Sequence, residues 1–170
     1  MTATTAPVRD PAWSLSRSAV GLWTAHGAIR SLFLVPLALA AVFAVPADAP
    51  APVPALRWLV PVLVGVYAVV NLGIEPWYRF RVHRWEVSPD AVYTLTGWLT
   101  RTWTLVPIAR IQTVDVTRGP LQQVFGLASV AVLTASSQGT VRIPHLQLDV
   151  ARRVADDLAR RAELVRDEAT

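Results

Sequence analysis

The stretch LRWLVPVLVGVYAVVNLGI, residues 56–74, decides the fold of this chain. Behind Arg57 it has no charged side chain, and Asn71 is its one carboxamide. Its nineteen residues would rise about 28 Å as an α-helix, close to the roughly 30 Å hydrocarbon core of a bilayer. We therefore predict a transmembrane helix over residues 56–74, around which the rest of the chain is arranged.

The residues that follow this stretch are typical of a helix end at a lipid headgroup layer. Aromatic rings are enriched at membrane–water interfaces, and arginine is enriched on the cytoplasmic side. We predict five membrane-interface residues on this basis: Trp77, Tyr78, Arg79, Arg81 and Arg84. The arginines are better explained as topology anchors than as a specific lipid pocket.

A second apolar run, SLFLVPLALAAVFAV, occupies residues 31–45. It is too short to cross a bilayer alone, so the predicted span extends over residues 29–47. Two alternatives are a secretory signal cleaved at Ala47-Asp48-Ala49 and a buried helix of a soluble core. We expect a retained span, because the residues ahead of the run make an overlong leader and no basic cluster adjoins its start.

The connector Pro46–Ala55 holds four prolines, and a linker this short forces the two spans into a hairpin. Arginines flank the outer ends of the hairpin, whereas the connector side has only Arg57. The positive-inside rule then predicts a multi-pass protein of the cell membrane with both termini in the cytoplasm. Asn71 either bonds across the hairpin or faces interfacial water, and the sequence leaves both possibilities open.

The composition supports a membrane protein. Of the 170 residues, 53% are hydrophobic and 16% are charged, and the mean hydropathy of +0.39 is too high for an ordinary soluble domain. Cysteine is absent, which excludes disulfides and thiolate metal sites. All sixteen basic residues are arginine, a bias that coding composition explains more simply than lipid binding does.

We divide the chain into an N-terminal tail (residues 1–28), a transmembrane hairpin (29–76) and a cytoplasmic domain (77–170). The tail is predicted to be disordered over residues 1–12, where small, polar and proline residues dominate. The mixed segment Trp13–Arg30 is predicted to lie as a short interfacial helix.

Beyond the hairpin the apolar period changes from helical to two, which is typical of strands. We predict six strands: Val82–Ser88, Ala91–Thr96, Trp103–Pro107, Ile111–Thr117, Leu127–Ala135 and Thr140–Ile143. Ile111, Val114 and Val116 are core candidates, Leu121–Gly126 is a helical turn or compact loop, and residues 136–139 form a turn. Many short strands at this spacing predict a β-barrel or sandwich.

One helix closes the chain, with Asp149 as its predicted N-cap. Its apolar stripe is predicted to consist of Val150, Val154, Leu158, Ala162 and Val165. The opposite face carries charges of alternating sign, which support the helix at i,i+4 spacing. Because these charges cancel the field that phosphate binding needs, we expect no nucleic-acid partner.

The ordered set of motifs in residues 77–165 resembles the bacterial pleckstrin-homology domain of YdbS-like membrane proteins. The motifs are Trp85-Glu86-Val87, Gly97-Trp98-Leu99, the run from Val106 to Gln112, Arg118 to Gln122, Phe125 to Ala128, Val132 to Ala135, and Ile143-Pro144. The resemblance implies a membrane-anchored α+β protein: a two-helix transmembrane hairpin, then a pleckstrin-homology-like barrel or sandwich with a C-terminal capping helix. It also implies a partner membrane protein that carries related domains.

The sequence does not indicate an enzyme. Its carboxylates fall in separate strands or turns, and His26, His83 and His145 have no second ligand at metal spacing. We predict no catalytic residues, no metal and no cofactor.

Two functions remain. The first is a cytoplasmic assembly module that binds a partner membrane protein, or a second copy of the chain, through a free sheet edge or the loop from Gly119 to Gly126. The second is a module that interacts with lipid or senses the state of the membrane. The candidate interaction surface consists of Trp98, Arg101, Trp103, Leu121, Gln122 and Phe125. The two tryptophans could instead pack at the rim of the barrel.

Overall fold

The computed structural model of the chain describes residues 9–44, 46, 48, 50, 52–134 and 139–168. The predictions made for residues 1–8, for much of the connector, for both alanines of the cleavage site and for most of the turn over 136–139 fall outside these residues. The chain forms two compact units. One is residues 20–78, and the other combines residues 1–19 with residues 79–170.

Two long helices make up the first unit. Helix α1 is Ser18–Ala44, and α2 is Val53–Val69. A π-helical segment, Val70–Ile74, joins α2 to α3, Glu75–Val82. The continuous helical stretches Ser18–Ala44 and Val53–Val82 contain 18-residue windows with mean hydropathies of 2.0 and 1.9, and both are long and apolar enough to cross a membrane.

These helices are longer than the predicted spans of residues 29–47 and 56–74. Apolar composition marks where a helix can contact lipid, whereas the helix itself continues through polar residues that have no breaker among them. Residues 18–28 contain no proline, so α1 begins eleven residues before the predicted start. Near the end of the second helical stretch, Pro76 would clash with the carbonyl of Leu72 in a regular α-helix. The wider π segment Val70–Ile74 contains Leu72.

The π segment explains where Asn71 goes. Its side chain is 8% exposed, and Nδ2 donates to the main-chain oxygen of Tyr67 at 2.9 Å. Asn71 therefore satisfies a carbonyl of its own helix, and it neither bonds across the hairpin nor faces water.

Seven strands in two antiparallel sheets make up the second unit. Sheet 1 has the order β1-β2-β3-β4, and its strands are Trp13–Ser14, Arg84–Val87, Ala91–Gly97 and Arg101–Pro107. Sheet 2 has the order β5-β6-β7, and its strands are Ile111–Thr117, Leu127–Thr134 and Thr140–Gln147. Strand pairing in the described residues stays within each sheet, so the domain contains two separate antiparallel sheets.

Two short helical segments and one long helix complete this unit. They are a 3₁₀ turn (Ile108–Arg110), α4 (Pro120–Val124) and α5 (Leu148–Glu168). Helix α5 packs on β5, β6 and the 3₁₀ turn. Val92, Ile108, Leu127, Ile143 and Leu158 are among the side chains buried most completely. Their burial contributes to the apolar stabilisation of the domain.

The helix predicted over Trp13–Arg30 forms only from Ser18 onward, as the start of α1. Residues 13–14 form β1 instead, with Trp13 opposite Trp85 and Ser14 opposite Arg84. The two indole rings meet edge to face at 4.9 Å, and Trp85 Nε1 donates to the carbonyl of Ser14 at 3.3 Å. A tryptophan partner across the strand stabilises an extended backbone better than an interfacial position would.

Two predictions about α5 need correction. The helix begins at Leu148, whose N–H donates to the carbonyl of Gly126 at 3.1 Å. Asp149 is therefore not the N-cap. It lies in the first turn and pairs with Arg153. The buried stripe is Ala151, Ala155, Leu158 and Ala162, while Val165 is 37% exposed. Alanines let the helix approach the sheet more closely than the valines would.

On β5 only part of the predicted core is buried. Ile111 is 5% exposed, whereas Val116 is 38% exposed, and Val114 lies between them in exposure. The last strand, β7, is four residues longer than predicted and contains a bulge.

Candidate interaction surface

The segment Gly119–Gly126, here called the α4 turn, is a short helix closed at both ends. At its start, Gln122 Oε1 accepts a hydrogen bond from the N–H of Gly119 at 2.9 Å, so the Gln122 side chain reaches back to the first residue of the turn. Pro120 follows at the first helical position, where its missing N–H costs nothing. At its end, Gly126 has a φ of 67°, a left-handed conformation that favours glycine.

Main-chain carbonyls tie the α4 turn to its surroundings. Arg118 Nε donates to the carbonyl of Leu127 at 3.1 Å, and another nitrogen of the same guanidinium donates to Gln123 at 3.5 Å. On the far side, the N–H of Leu148 bonds to Gly126. The turn is thereby attached to β6 and to the start of α5.

A polar cluster of Gln122, Ser129 and His145 lies beneath the turn. Gln122 Nε2 is 2.8 Å from Ser129 Oγ and 3.0 Å from His145 Nδ1. The main-chain nitrogen of His145 donates to the same Ser129 Oγ at 3.4 Å. His145 has a φ of 53° and lies in the bulge where β7 places two residues opposite Ser129.

This well-bonded turn presents apolar side chains to solvent. Val124 is 79% exposed, and Leu121 and Phe125 are half-buried on either side of it. An isolated exposed valine would mean little, but here it projects from a turn held by several hydrogen bonds. This ordered apolar protrusion is the candidate docking surface of the turn.

The other predicted surface residues lie on sheet 1. Trp98 is in the β3–β4 turn, and Arg101 and Trp103 are in β4. Trp103 is 44% exposed, and its indole N–H donates to Asp10 at 3.1 Å. The most exposed side chain of this turn is Leu99, at 86%. The structure thus divides the predicted surface into two parts, with Leu121, Gln122 and Phe125 on sheet 2.

A cleft of about 570 Å³ lies beside the free edges of the two sheets, β4 and β7. Threonines dominate its lining, together with Trp103 and Arg142. A free sheet edge is the alternative docking site predicted from the sequence, and this cleft is lined by one edge strand of each sheet.

The five predicted membrane-interface residues lie at the end of α3 and the start of β2. Trp77 and Tyr78 are 61% and 38% exposed, Arg79 and Arg81 are in α3, and Arg84 begins β2. Between them, His83 Nδ1 donates to the carbonyl of Arg79 at 2.9 Å. Burial lowers the pKa of His83 below its ordinary value of 6.5.

The sequence interpretation missed Arg118, Ser129 and His145 as parts of this surface. One available signal was Pro144 inside a strand pattern, because proline in a strand often marks a bulge. Within the described ranges no group of three His, Cys, Asp or Glu side chains is arranged to hold a metal ion.

Comparison with known proteins identifies the family. The chain is 32% identical over 114 residues to the UPF0699 transmembrane protein YdbS of Bacillus subtilis (strain 168). The aligned region covers 65% of this chain and 70% of that protein. No solved structure matches the chain. The bacterial PH domain family matches residues 31–162, most of the chain. The predicted resemblance is confirmed, and the chain belongs to the YdbS-like bacterial PH domain family.

Proposed function

We propose that this protein is a membrane-anchored interaction module, in which a helical hairpin holds a PH-like domain at the cytoplasmic surface and the α4 turn binds a partner protein. The similar Bacillus protein is a transmembrane protein by name. The observation that carries the binding role is Val124, exposed on a turn that hydrogen bonds hold in place.

Strand pairing supports a hairpin rather than two independent spans. β1 precedes α1 and β2 follows α3, yet the two strands are hydrogen-bonded neighbours. This pairing supports an even number of membrane crossings between them. The arginines near both outer ends favour the cytoplasm as the shared side.

The partner we propose is a membrane protein that carries related domains, with a second copy of the chain as the alternative. An apolar turn suits a protein partner, because α4 carries no charged side chain that would select an ionic ligand. Membership in a PH-like family also favours an interaction module over an enzyme.

The experiment is co-purification of the full-length, tagged protein from native membranes in mild detergent. We expect Val124→Asp to abolish capture of the partner, because a buried unpaired carboxylate is costly at an interface. The matched control is Leu99→Asp, which changes an equally exposed side chain on sheet 1. Equal capture by both variants, or equal loss, would contradict the α4 turn as the docking surface. Co-expression of two differently tagged copies separates self-association from a second protein.

Leu99 supports a second candidate function, lipid interaction. It is 86% exposed between Trp98 and Arg101, a combination that suits a membrane interface. Because the chain has no cysteine, Leu99→Cys can carry a single environment-sensitive dye in proteoliposomes. A blue shift that requires anionic lipid and weakens with salt would favour this function. The same dye at Val124→Cys is the control.

A further inference from the structure

The amide of Gln122 has only one possible orientation. Its Oε1 atom lies 2.9 Å from the main-chain nitrogen of Gly119. A main-chain N–H can only donate, so the atom that faces it must be the amide oxygen. The amide nitrogen therefore points toward Ser129 Oγ and His145 Nδ1.

This orientation determines the protonation state of His145. The amide nitrogen of Gln122 can only donate, so Nδ1 of the ring has to accept. A ring that accepts at Nδ1 is neutral and carries its proton on Nε2, whereas an imidazolium ion carries protons on both nitrogens. Protonation would therefore place two donors 3.0 Å apart.

Rotation of the amide does not relieve this conflict. A flipped Gln122 could accept from the protonated ring, but its amino group would then face the N–H of Gly119. The hydrogen bond between Gln122 and the start of α4 would be lost. Either the contact with His145 or this hydrogen bond is lost when the ring takes up a proton.

The backbone keeps the ring at this position. The backbone of His145 has a left-handed conformation, with a φ of 53°. Its N–H donates to Ser129 Oγ at 3.4 Å. A non-glycine residue in this conformation persists only where its surroundings impose it. The bulge thus fixes the point from which the ring reaches Gln122.

We propose that His145 is a proton-sensitive latch on the α4 turn: the neutral ring holds the turn against sheet 2, and protonation releases it. This inference rests on the function proposed above for the turn, and it adds the regulation of that surface.

The charged groups on the neighbouring elements include Asp115 on β5, Arg118 between β5 and α4, Arg142 on β7, and Asp149 at the start of α5, which pairs with Arg153. Strand β6 and helix α4 have no charged side chain. Among the side-chain types of the chain, histidine is the one whose reference pKa lies between pH 5 and 8.

The test is amide hydrogen exchange of the full-length protein in detergent micelles at pH 7.5 and 5.5, corrected for intrinsic rates. We expect protection of the α4 turn to fall roughly fivefold at pH 5.5, the loss of about one hydrogen bond. His145→Asn should show no such fall, because asparagine tolerates the left-handed backbone and does not titrate. The chain has three histidines, so His26→Asn and His83→Gln are the controls, and both should keep the response.

Nitrogen NMR of the ring gives an independent readout. At pH 7.5 the proton of His145 should be on Nε2, and a proton on Nδ1 would overturn the proposal. So would a pH-independent exchange rate in the unmodified chain, or an unchanged fall in His145→Asn. None of these measurements involves a partner. If they succeed while Val124→Asp still binds, the latch stands and the docking surface is wrong.

Discussion

A Cβ atom added to Gly27 would lie 2.8 Å from the carbonyl oxygen of Asn71. Helix α1 therefore meets the π segment backbone to backbone at this point. Such an approach is possible only where one helix has no side chain, as in close helix contacts within membranes.

Replacement of Gly27 by alanine should loosen the helical unit. The methyl group would press on a main-chain atom that cannot rotate away, at a cost of about 1–3 kcal/mol. The measurement is unfolding of the full-length protein in mixed micelles as the fraction of denaturing detergent rises. Gly65→Ala is the matched control, because nothing lies within 4 Å of the Cβ it would add. Equal effects at both positions would contradict this packing.

Replacement of Asn71 by leucine should leave the carbonyl of Tyr67 without its side-chain donor. We expect a loss of about 1 kcal/mol in the same unfolding assay, the typical net contribution of one hydrogen bond. Asn71→Ser should restore part of the loss, because a serine hydroxyl can donate to the carbonyl four residues earlier. A serine variant no more stable than the leucine variant would show that the donor is unimportant.

Removal of the Trp13 side chain should release the edge of sheet 1. Trp13→Ala loses the ring contact with Trp85, and we expect a cost of about 1–2 kcal/mol. Hydrogen exchange of Arg84–Val87 should accelerate, while β6 stays protected. Leu99→Ala is the control, since that side chain is almost fully exposed. Unchanged exchange in β2 would mean that β1 adds no stability.

The pH dependence of stability should include a contribution from His83. Burial holds its pKa in the folded state below the ordinary value of 6.5, so the unfolded chain binds the proton more readily. This contribution is complete above pH 6.5 and is lost as the pH falls toward the lower, folded pKa. His83→Gln should flatten the stability curve in that window relative to the unmodified chain. If the stability of His83→Gln depended on pH in the same way as that of the unmodified chain, the pKa of His83 would be the same in the folded and unfolded states.

Much of the domain was predictable, because its strands and α5 follow local apolar periods. β1 was not, since two residues become a strand only by pairing with a segment about seventy positions away. The helix ends were misplaced because hydropathy reports contact with lipid rather than helix length. On α5 the apolar period predicts valines on the buried face, whereas alanines occupy most of that face in the structure.

The candidate surface was predictable in part. The turn around Leu121 follows from Gly119-Pro120 and Gly126, which are local signals. The support beneath it consists of contacts between Gln122, Ser129 and His145, which come from three separate elements. No periodicity in a single sequence reveals such contacts. Whether these residues bind a partner stays a prediction.

The two-residue strand β1 makes the globular domain discontinuous in sequence. Strand β1 is synthesised first, but its neighbour β2 is synthesised only after both long helices. Sheet 1 can therefore add β1 only after the helical segments have been made. A fragment that begins at residue 77 would lack β1, so the edge of β2 would be unpaired and Trp85 would lose its contact with Trp13. Such a fragment would be prone to aggregate through this exposed edge.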